Sequence, residues 1–336
     1  MKEALHYQKL KNSIIKCELC PRTCTINLGK AGLCGVRKNI KGKLYSLVYG
    51  RPCAMHVDPI EKKPFYHFLL GSRAYSIATS GCNFFCDFCQ NWQISQKRDN
   101  GLESEESEEI VSPEKVVELA KQSGCKSISY TYTEPTIFYE YMLDIAKLAK
   151  KAGLKNTVVS NGYINEKPLR ELCKVIDAAN IDLKGFSEEF YKQSCKATLA
   201  PVLKSLKTLK EEGVWLEITN LIIPGRNDSP EMIEKMSAWI AKELGKDTPL
   251  HLSAFHPDYK LTDASPTPRA TLEKAHNIAK KHLDHVYLGN ISGETNTFCG
   301  KCGEIVIRRG MMHVNENNLK DGCCQKCGKA ISGVWR

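Results

Sequence analysis

The chain has 336 residues, 42% of them hydrophobic and 26% charged, with a net charge of +10 and sixteen cysteines. This is an ordinary composition for a soluble globular protein, with room for one barrel-sized domain plus small modules. No run of about 18 apolar residues exists to span a membrane, and the N-terminus MKEALHYQKLKNSIIKC lacks an apolar signal core, so a cytoplasmic protein is expected.

Without a signal peptide, so many cysteines argue against a disulfide framework, and their grouping in C-x2-C units argues for metal. Residues 1–70 hold 13 Lys and Arg against 4 Asp and Glu, so they carry +9 of the charge. Such a surplus can favour thiolate formation in a cysteine cluster. It can also present a docking face to an acidic partner or a nucleic acid. Solvated lysines account for most of it.

Residues 17–34 read CELCPRTCTINLGKAGLC. Cys17, Cys20, Cys24 and Cys34 stand on a looped segment punctuated by Pro21, Gly29 and Gly32. Four thiolates there suit a closed structural site, filled by zinc or by a second iron–sulfur cluster. Cys53 reads as a spare, a small buried hydrophobe. Residues 55–70, MHVDPIEKKPFYHFLL, bring His56, Asp58, Glu61 and His67 just before the first core strand. These four either reach the mouth of a site or make loop and structural contacts.

The apolar run AYSIATS (74–80) leads into GCNFFCDFCQNW (81–92), where Cys82, Cys86 and Cys89 form a C-x3-C-x2-C array just past a strand. Three thiolates so close can each take one iron of a cubane cluster and leave the fourth iron open, which signals chemistry. The alternative is three ligands of a zinc site completed by a remote Cys or His, although zinc ligands more often come in C-x2-C pairs. The acidic run GLESEESEE (101–109) then reads as a solvated surface loop.

Beyond it the chain alternates strand and helix. Strands are expected near 75–80, 127–133, 156–160, 177–183, 214–223 and 250–255. Ser112-Pro113 opens the first long helix as cap and first helical residue, and Gly124 closes it. Helices follow at 137–151, 199–212, 230–244 and 270–283. Six such units predict an α/β fold with a parallel sheet, either a partial (β/α)6 barrel or an open sheet. In either, the site lies beyond the C-terminal strand ends. Glu134, Ser160, Asn161, Asp182, Lys184 and His256 all fall at that rim, on the same side as the cysteine array.

The array resembles the cluster loop of radical S-adenosylmethionine (SAM) enzymes. The resemblance implies a 4Fe–4S cluster whose open iron is chelated by SAM. It also implies reductive cleavage of SAM to a 5′-deoxyadenosyl radical that abstracts hydrogen from a substrate. The rim is similar to that of the activating enzymes of glycyl-radical enzymes. By position, Phe88 would pack near the adenine, and Glu134 would receive the SAM amino group, with Tyr132-Thr133 replacing the usual glycines. Asp182 and Lys184 would hold the carboxylate end, Ser160-Asn161 would form a turn near the ligand, and His256 would lie near the nucleoside. CELCPRTC, DPIEKKPFYHF, GCNFFCDFCQNWQISQ, YTYTEPTIFYEY and IDLKGFSEEFY together resemble the AmmeMemoRadiSam-system radical SAM proteins over nearly the whole chain. That likeness implies Ammecr- and Memo-type partners, an anaerobic chemistry and a flavodoxin- or ferredoxin-like electron donor, without naming a substrate.

After Asn290 the composition changes. Cys299-x2-Cys302 and Cys324-x2-Cys327, each followed by glycine, predict a structural zinc ribbon, with Cys323 outside the ligand set. Arg308 and Arg309 could contact a phosphate. The expected organisation is a cysteine-rich module over 1–70, a radical SAM core over 71–290 and the ribbon over 291–336. Two alternatives stay open: an activase working on a partner protein, and a non-enzymatic zinc- and nucleic-acid-binding protein.

Overall fold

The computed structural model describes residues 1–96, 110–310 and 312–336. The acidic run 101–109 lies outside the described residues. The centre is an eight-stranded sheet whose strands are β1 (Pro52–Pro59), β2 (Arg73–Thr79), β3 (Ser127–Tyr130), β4 (Lys155–Ser160), β5 (Ala178–Asp182), β6 (Trp215–Ile222), β7 (Leu250–Ala254) and β8 (Val286–Gly289). They lie side by side in chain order, β1 to β8. β1 runs antiparallel to β2, and every later neighbour is parallel. Strands covered on both faces read as near-continuous apolar or small-residue runs, and β3 and β7 are buried at every position.

All six expected strands are present. The edge strands β1 and β8 escaped the sequence reading: β1 has prolines at both ends, and β8 is only four residues long. The sheet therefore begins at Pro52, inside the stretch read as the N-terminal module. Cys53 is half-buried on β1, not buried.

Helices α1 (Pro113–Gln122), α2 (Tyr139–Lys151), α3 (Glu166–Cys173), α4 (Ala200–Glu211), α5 (Pro230–Glu243) and α6 (Arg269–Ala279) return the chain between strands. Their ends follow local chemistry. The Ser112 hydroxyl accepts from the Lys115 amide at 3.2 Å with Pro113 next in line, and Ser229 caps α5 in the same way. Gly124, Gly153 and Gly213 close three helices in the left-handed conformation.

Two small antiparallel sheets precede the central one. Ile15, Val36 and Leu44 from them join the main core. Arg37 forms a buried ion pair with Glu140 of α2 at 2.9 Å, both side chains 2% exposed. The C-terminal segment has its own small core of Val306, Ile307 and Ile331 with the cysteines Cys299 and Cys324. Among the described residues no helix is long and apolar enough to cross a membrane.

Candidate active site

The cysteine loop leaves β2 through Gly81, at φ +102°. Backbone partners then hold it from several sides. The Phe85 and Asp87 amides donate to the carbonyls of Cys195 and Ser194, and the Arg22 Nε donates to Asn83 O at 2.9 Å. Arg226, from the PGRND turn, pairs with Asp87 at 2.7 Å. These partners are distant in sequence, while Gly81 N to Ile94 O and Cys89 Sγ to Ser95 Oγ close the loop locally.

Cys82, Cys86 and Cys89 open into one cavity of about 260 Å³ at the C-terminal strand ends. Glu134, Asn161, Asp182, Lys184 and Phe88 line the same space. Lys184 lies 3.0 Å from Asp182. Burial opposes its charge, but Asp182 and the Cys86 thiolate hold it protonated, well above the usual lysine range. Its ammonium also sits 5.9 Å from the centre of the Phe88 ring. A fixed cation beside an ionic pocket suits a ligand carboxylate.

Glu134 is 1% exposed and fully engaged by the protein. Its carboxylate accepts from Thr136 N, Ser160 Oγ and Asn161 N at 2.8–2.9 Å. Burial raises its pKa despite those donors. Ser160 stands behind Glu134 and lies outside the cavity wall. Asn161 bridges Glu134 to the cysteine loop, its Nδ2 donating to Asn83 Oδ1 at 2.8 Å.

The cavity suits a cluster and an amino-acid ligand. Three thiols converge, one cation is present, and the buried Nε2 of Gln90 in the wall lacks a hydrogen-bond partner. Burial lifts the thiols of Cys82 and Cys89, whereas a hydrogen bond from Cys195 leads the effects that hold Cys86 low.

Several expected residues stand elsewhere. The strand ends at Ala254 and Phe255 turns inward, 1% exposed, so His256 faces solvent and does not line the cavity. His56 is exposed, and Glu61 is buried, accepting from Gly71 N. His67 is enclosed beneath the cavity, with Nδ1 2.6 Å from Ser332 O and Nε2 2.5 Å from Tyr287 Oη. None of these reaches the mouth. The segment that carries them supplies the floor instead. Pro64 lines the cavity and accepts from Asn180 Nδ2 at 2.7 Å, while Tyr66 N and His67 N donate to the buried Glu217 carboxylate. Arg309 is 1% exposed and clamps Tyr66 O and Thr297 Oγ1 from below, and Arg308 pairs with Glu294 and Glu316, so neither is a free phosphate contact.

Sequence reading missed Tyr132, Gln90, Thr219, Ser253 and Asn290 in the wall. Thr219 lies opposite Asp182 and Ser253 opposite Gly289 across the parallel register.

At the C-terminus the sulfurs of Cys299, Cys302, Cys324 and Cys327 lie within 4.8 Å of one another. Cys323 is outside the group, its sulfur directed at Asp321 O.

Residues 76–240 match the radical SAM superfamily. An uncharacterized protein of Methanocaldococcus jannaschii is 45% identical over 339 residues, covering 99% of this chain and all of the relative. The chain belongs to the radical SAM superfamily. This radical SAM protein is also 24% identical to a pyruvate formate-lyase-activating enzyme of Clostridium pasteurianum, over 61% of this chain and 89% of that one. A radical SAM methyltransferase structure from Sphaerobacter thermophilus shares the α/β fold, with a TM-score of 0.51, 13% identity, and coverage of 66% and 67%. Membership makes the protein an enzyme and implies a 4Fe–4S cluster and SAM as cofactors. The reading as a non-enzymatic zinc- and nucleic-acid-binding protein is thereby overturned.

Proposed function

We propose that Cys82, Cys86 and Cys89 hold the 4Fe–4S cluster and that SAM occupies the adjoining cavity, with its carboxylate on Lys184 and its adenine toward Phe88. When bound, these groups supply one-electron reductive cleavage of SAM to a 5′-deoxyadenosyl radical, which takes hydrogen from a substrate. The observation that carries the reading is the convergence of three thiols and the Asp182–Lys184 pair on one cavity. Asp182 keeps Lys184 charged and aimed. Glu134 fixes the turn at Ser160-Asn161 and thereby the wall that faces Cys82. Pro64 closes the floor against water entering from below. The test is 5′-deoxyadenosine formation from SAM after dithionite reduction, in the wild type and in Cys82→Ala, Cys86→Ala and Cys89→Ala. Product in any of the three variants would overturn the assignment.

A second reading is an activase that abstracts hydrogen from the backbone of a partner protein, favoured by the likeness to the Clostridium pasteurianum activating enzyme. Deuterium transfer into 5′-deoxyadenosine from labelled candidates separates it from small-molecule chemistry. In the same reading the sheet curls as a partial barrel between an N-terminal module and a C-terminal ribbon, and a flavodoxin- or ferredoxin-like protein supplies electrons. The ribbon cysteines take one zinc, whose thiolates in a tetrahedral site stand about 3.8 Å apart. The N-terminal four cysteines take zinc or a second cluster. Membership in the AmmeMemoRadiSam system, with Ammecr- and Memo-type partners, rests on the sequence motifs.

A further inference from the structure

Cys17, Cys20, Cys24 and Cys34 line a single cavity whose other walls include Leu19, Ile26 and Ile137. Two arginines stand in its wall. Arg37 is 2% exposed, and its Nε has no hydrogen-bond partner, although its other nitrogens bind Glu140 and Leu5 O. Arg22 likewise leaves one buried terminal nitrogen without a partner. Both residues line the cavity. Buried, unsatisfied N–H groups among four thiols point to an anionic occupant that accepts hydrogen bonds.

The size of that occupant differs from that of the ribbon's metal. Among the described residues, the ribbon cysteines are the one group of three or more metal-binding side chains with donor atoms all within 4.8 Å. The N-terminal four are set wider, as are the three of the array. A single zinc draws its sulfurs to about 3.8 Å. A cubane places each thiolate on a different iron and so spreads them further. Its sulfides also accept hydrogen bonds, which the Arg37 and Arg22 N–H groups can donate.

The site abuts the catalytic loop. A Cβ on Gly81 would fall 3.0 Å from Cys34 O and 2.7 Å from Val36 Cγ1, and Gly81 is bonded to Cys82. Asn83 lines the N-terminal cavity, and Arg22 donates to its carbonyl. The backbone of Cys34 thus crowds the space beside Gly81, which is one peptide unit, about 3.8 Å between Cα atoms, from Cys82.

We propose that Cys17, Cys20, Cys24 and Cys34 hold a second iron–sulfur cluster that relays single electrons to the cluster at Cys82, Cys86 and Cys89. The relay rests on the array reading above; the second metal site does not. In each transfer the N-terminal centre is oxidised by one electron and the array centre reduced by one, with no bond made or broken. A low-potential flavodoxin- or ferredoxin-like donor replaces the electron. Lys9, Lys11, Lys30 and Lys41, all exposed, lie in the same N-terminal segment and would attract an acidic donor of that kind.

Metal analysis of the anaerobically reconstituted full chain tests the site. About eight irons, about eight acid-labile sulfides and about one zinc per chain are expected. About four irons with two zincs would overturn it, without recourse to any variant. Cys20→Ser with Cys34→Ser should fall to about four irons and keep the array's electron paramagnetic resonance signal and SAM binding. Cys82→Ser with Cys86→Ser and Cys89→Ser should also keep about four. Full iron in this last sample would defeat the array reading, and full iron in the Cys20/Cys34 sample would defeat the present one. For the relay, stopped-flow reduction of the array cluster by reduced flavodoxin should slow at least tenfold in the Cys20/Cys34 variant. An unchanged rate would overturn the relay.

Discussion

The phenol of Tyr132 donates a hydrogen bond to Asp58, and Tyr132 itself stands in the left-handed region at φ +64°. That conformation costs a non-glycine residue about 1–2 kcal/mol. The ring offsets the cost: Asp58 fixes its hydroxyl, the Lys63 ammonium lies 4.0 Å from its centre, and Asn91 Nδ2 donates to Tyr132 O at 2.9 Å. Although burial opposes it, Lys62, Lys63 and Tyr132 hold the Asp58 carboxyl well below the usual range.

Tyr132→Gly should therefore be more stable than Tyr132→Ala by about 1 kcal/mol, because only glycine adopts this backbone freely. Both should be less stable than the wild type. Denaturant unfolding measures the difference. Equal stability of the two variants would show that the left-handed backbone is not a constraint.

Lys184 and Glu134 should separate cleanly. Lys184→Ala removes a charge-assisted contact of about 1.5–3 kcal/mol and should weaken SAM ten- to a hundredfold, with iron content unchanged. Glu134→Ala should also lower stability, because Ser160 Oγ and the amides of Thr136 and Asn161 lose their acceptor, at about 1–3 kcal/mol per unsatisfied group. Calorimetry with SAM, iron analysis and thermal unfolding of the same samples decide it. Unaltered SAM affinity in Lys184→Ala would move the ligand's carboxylate elsewhere.

The ribbon should report on the floor. Cys324→Ser should release about one zinc per chain, since a ribbon loses its metal with one ligand. The Val334–His67 strand contact and the Arg309–Tyr66 clamp tie that ribbon to the segment carrying Pro64. Hydrogen exchange at Tyr66 and His67 should rise with zinc loss, while the array keeps its iron. Iron lost in parallel with zinc would instead place the C-terminal cysteines in the catalytic centre.

The same junction predicts acid sensitivity. Burial pushes His285 down to about 4, and burial with neighbouring His285 holds His67 well below 6.5. Both are neutral in the folded state, whereas the unfolded chain protonates near 6.5. Stability from this source is complete above pH 6.5 and falls as the pH drops toward 4, by on the order of 3 kcal/mol for His285. His285→Asn should flatten the fall in melting temperature between pH 7.5 and 5.5. An identical slope in variant and wild type would exclude His285 as its source.

The cysteine sets and the strand–helix alternation were legible because they are local. Spacing along a few residues brings thiols together, and burial on both faces writes itself into apolar runs such as those of β3 and β7. Ser112 and Gly124 act within their own turns, and their roles follow from residue type.

What tertiary structure decided lies in contacts between distant residues. Asp58 holds Tyr132 across 74 positions, and Arg309 holds Tyr66 across 243. Neither pairing has a period or a spacing to read. His256 looked like a rim residue because it follows a strand, yet the turn of Phe255 into the core aims it at solvent. The DPIEKKPFYHF segment carries acids and histidines that suggest a mouth, but its backbone amides meet buried Glu217 and make it the floor. Sequence by itself marked the cysteine sets and six of the eight strands of the sheet, since both follow from local chemistry. The fold alone determined which polar groups face the cavity, because that depends on register between strands and on which buried partner claims each side chain first.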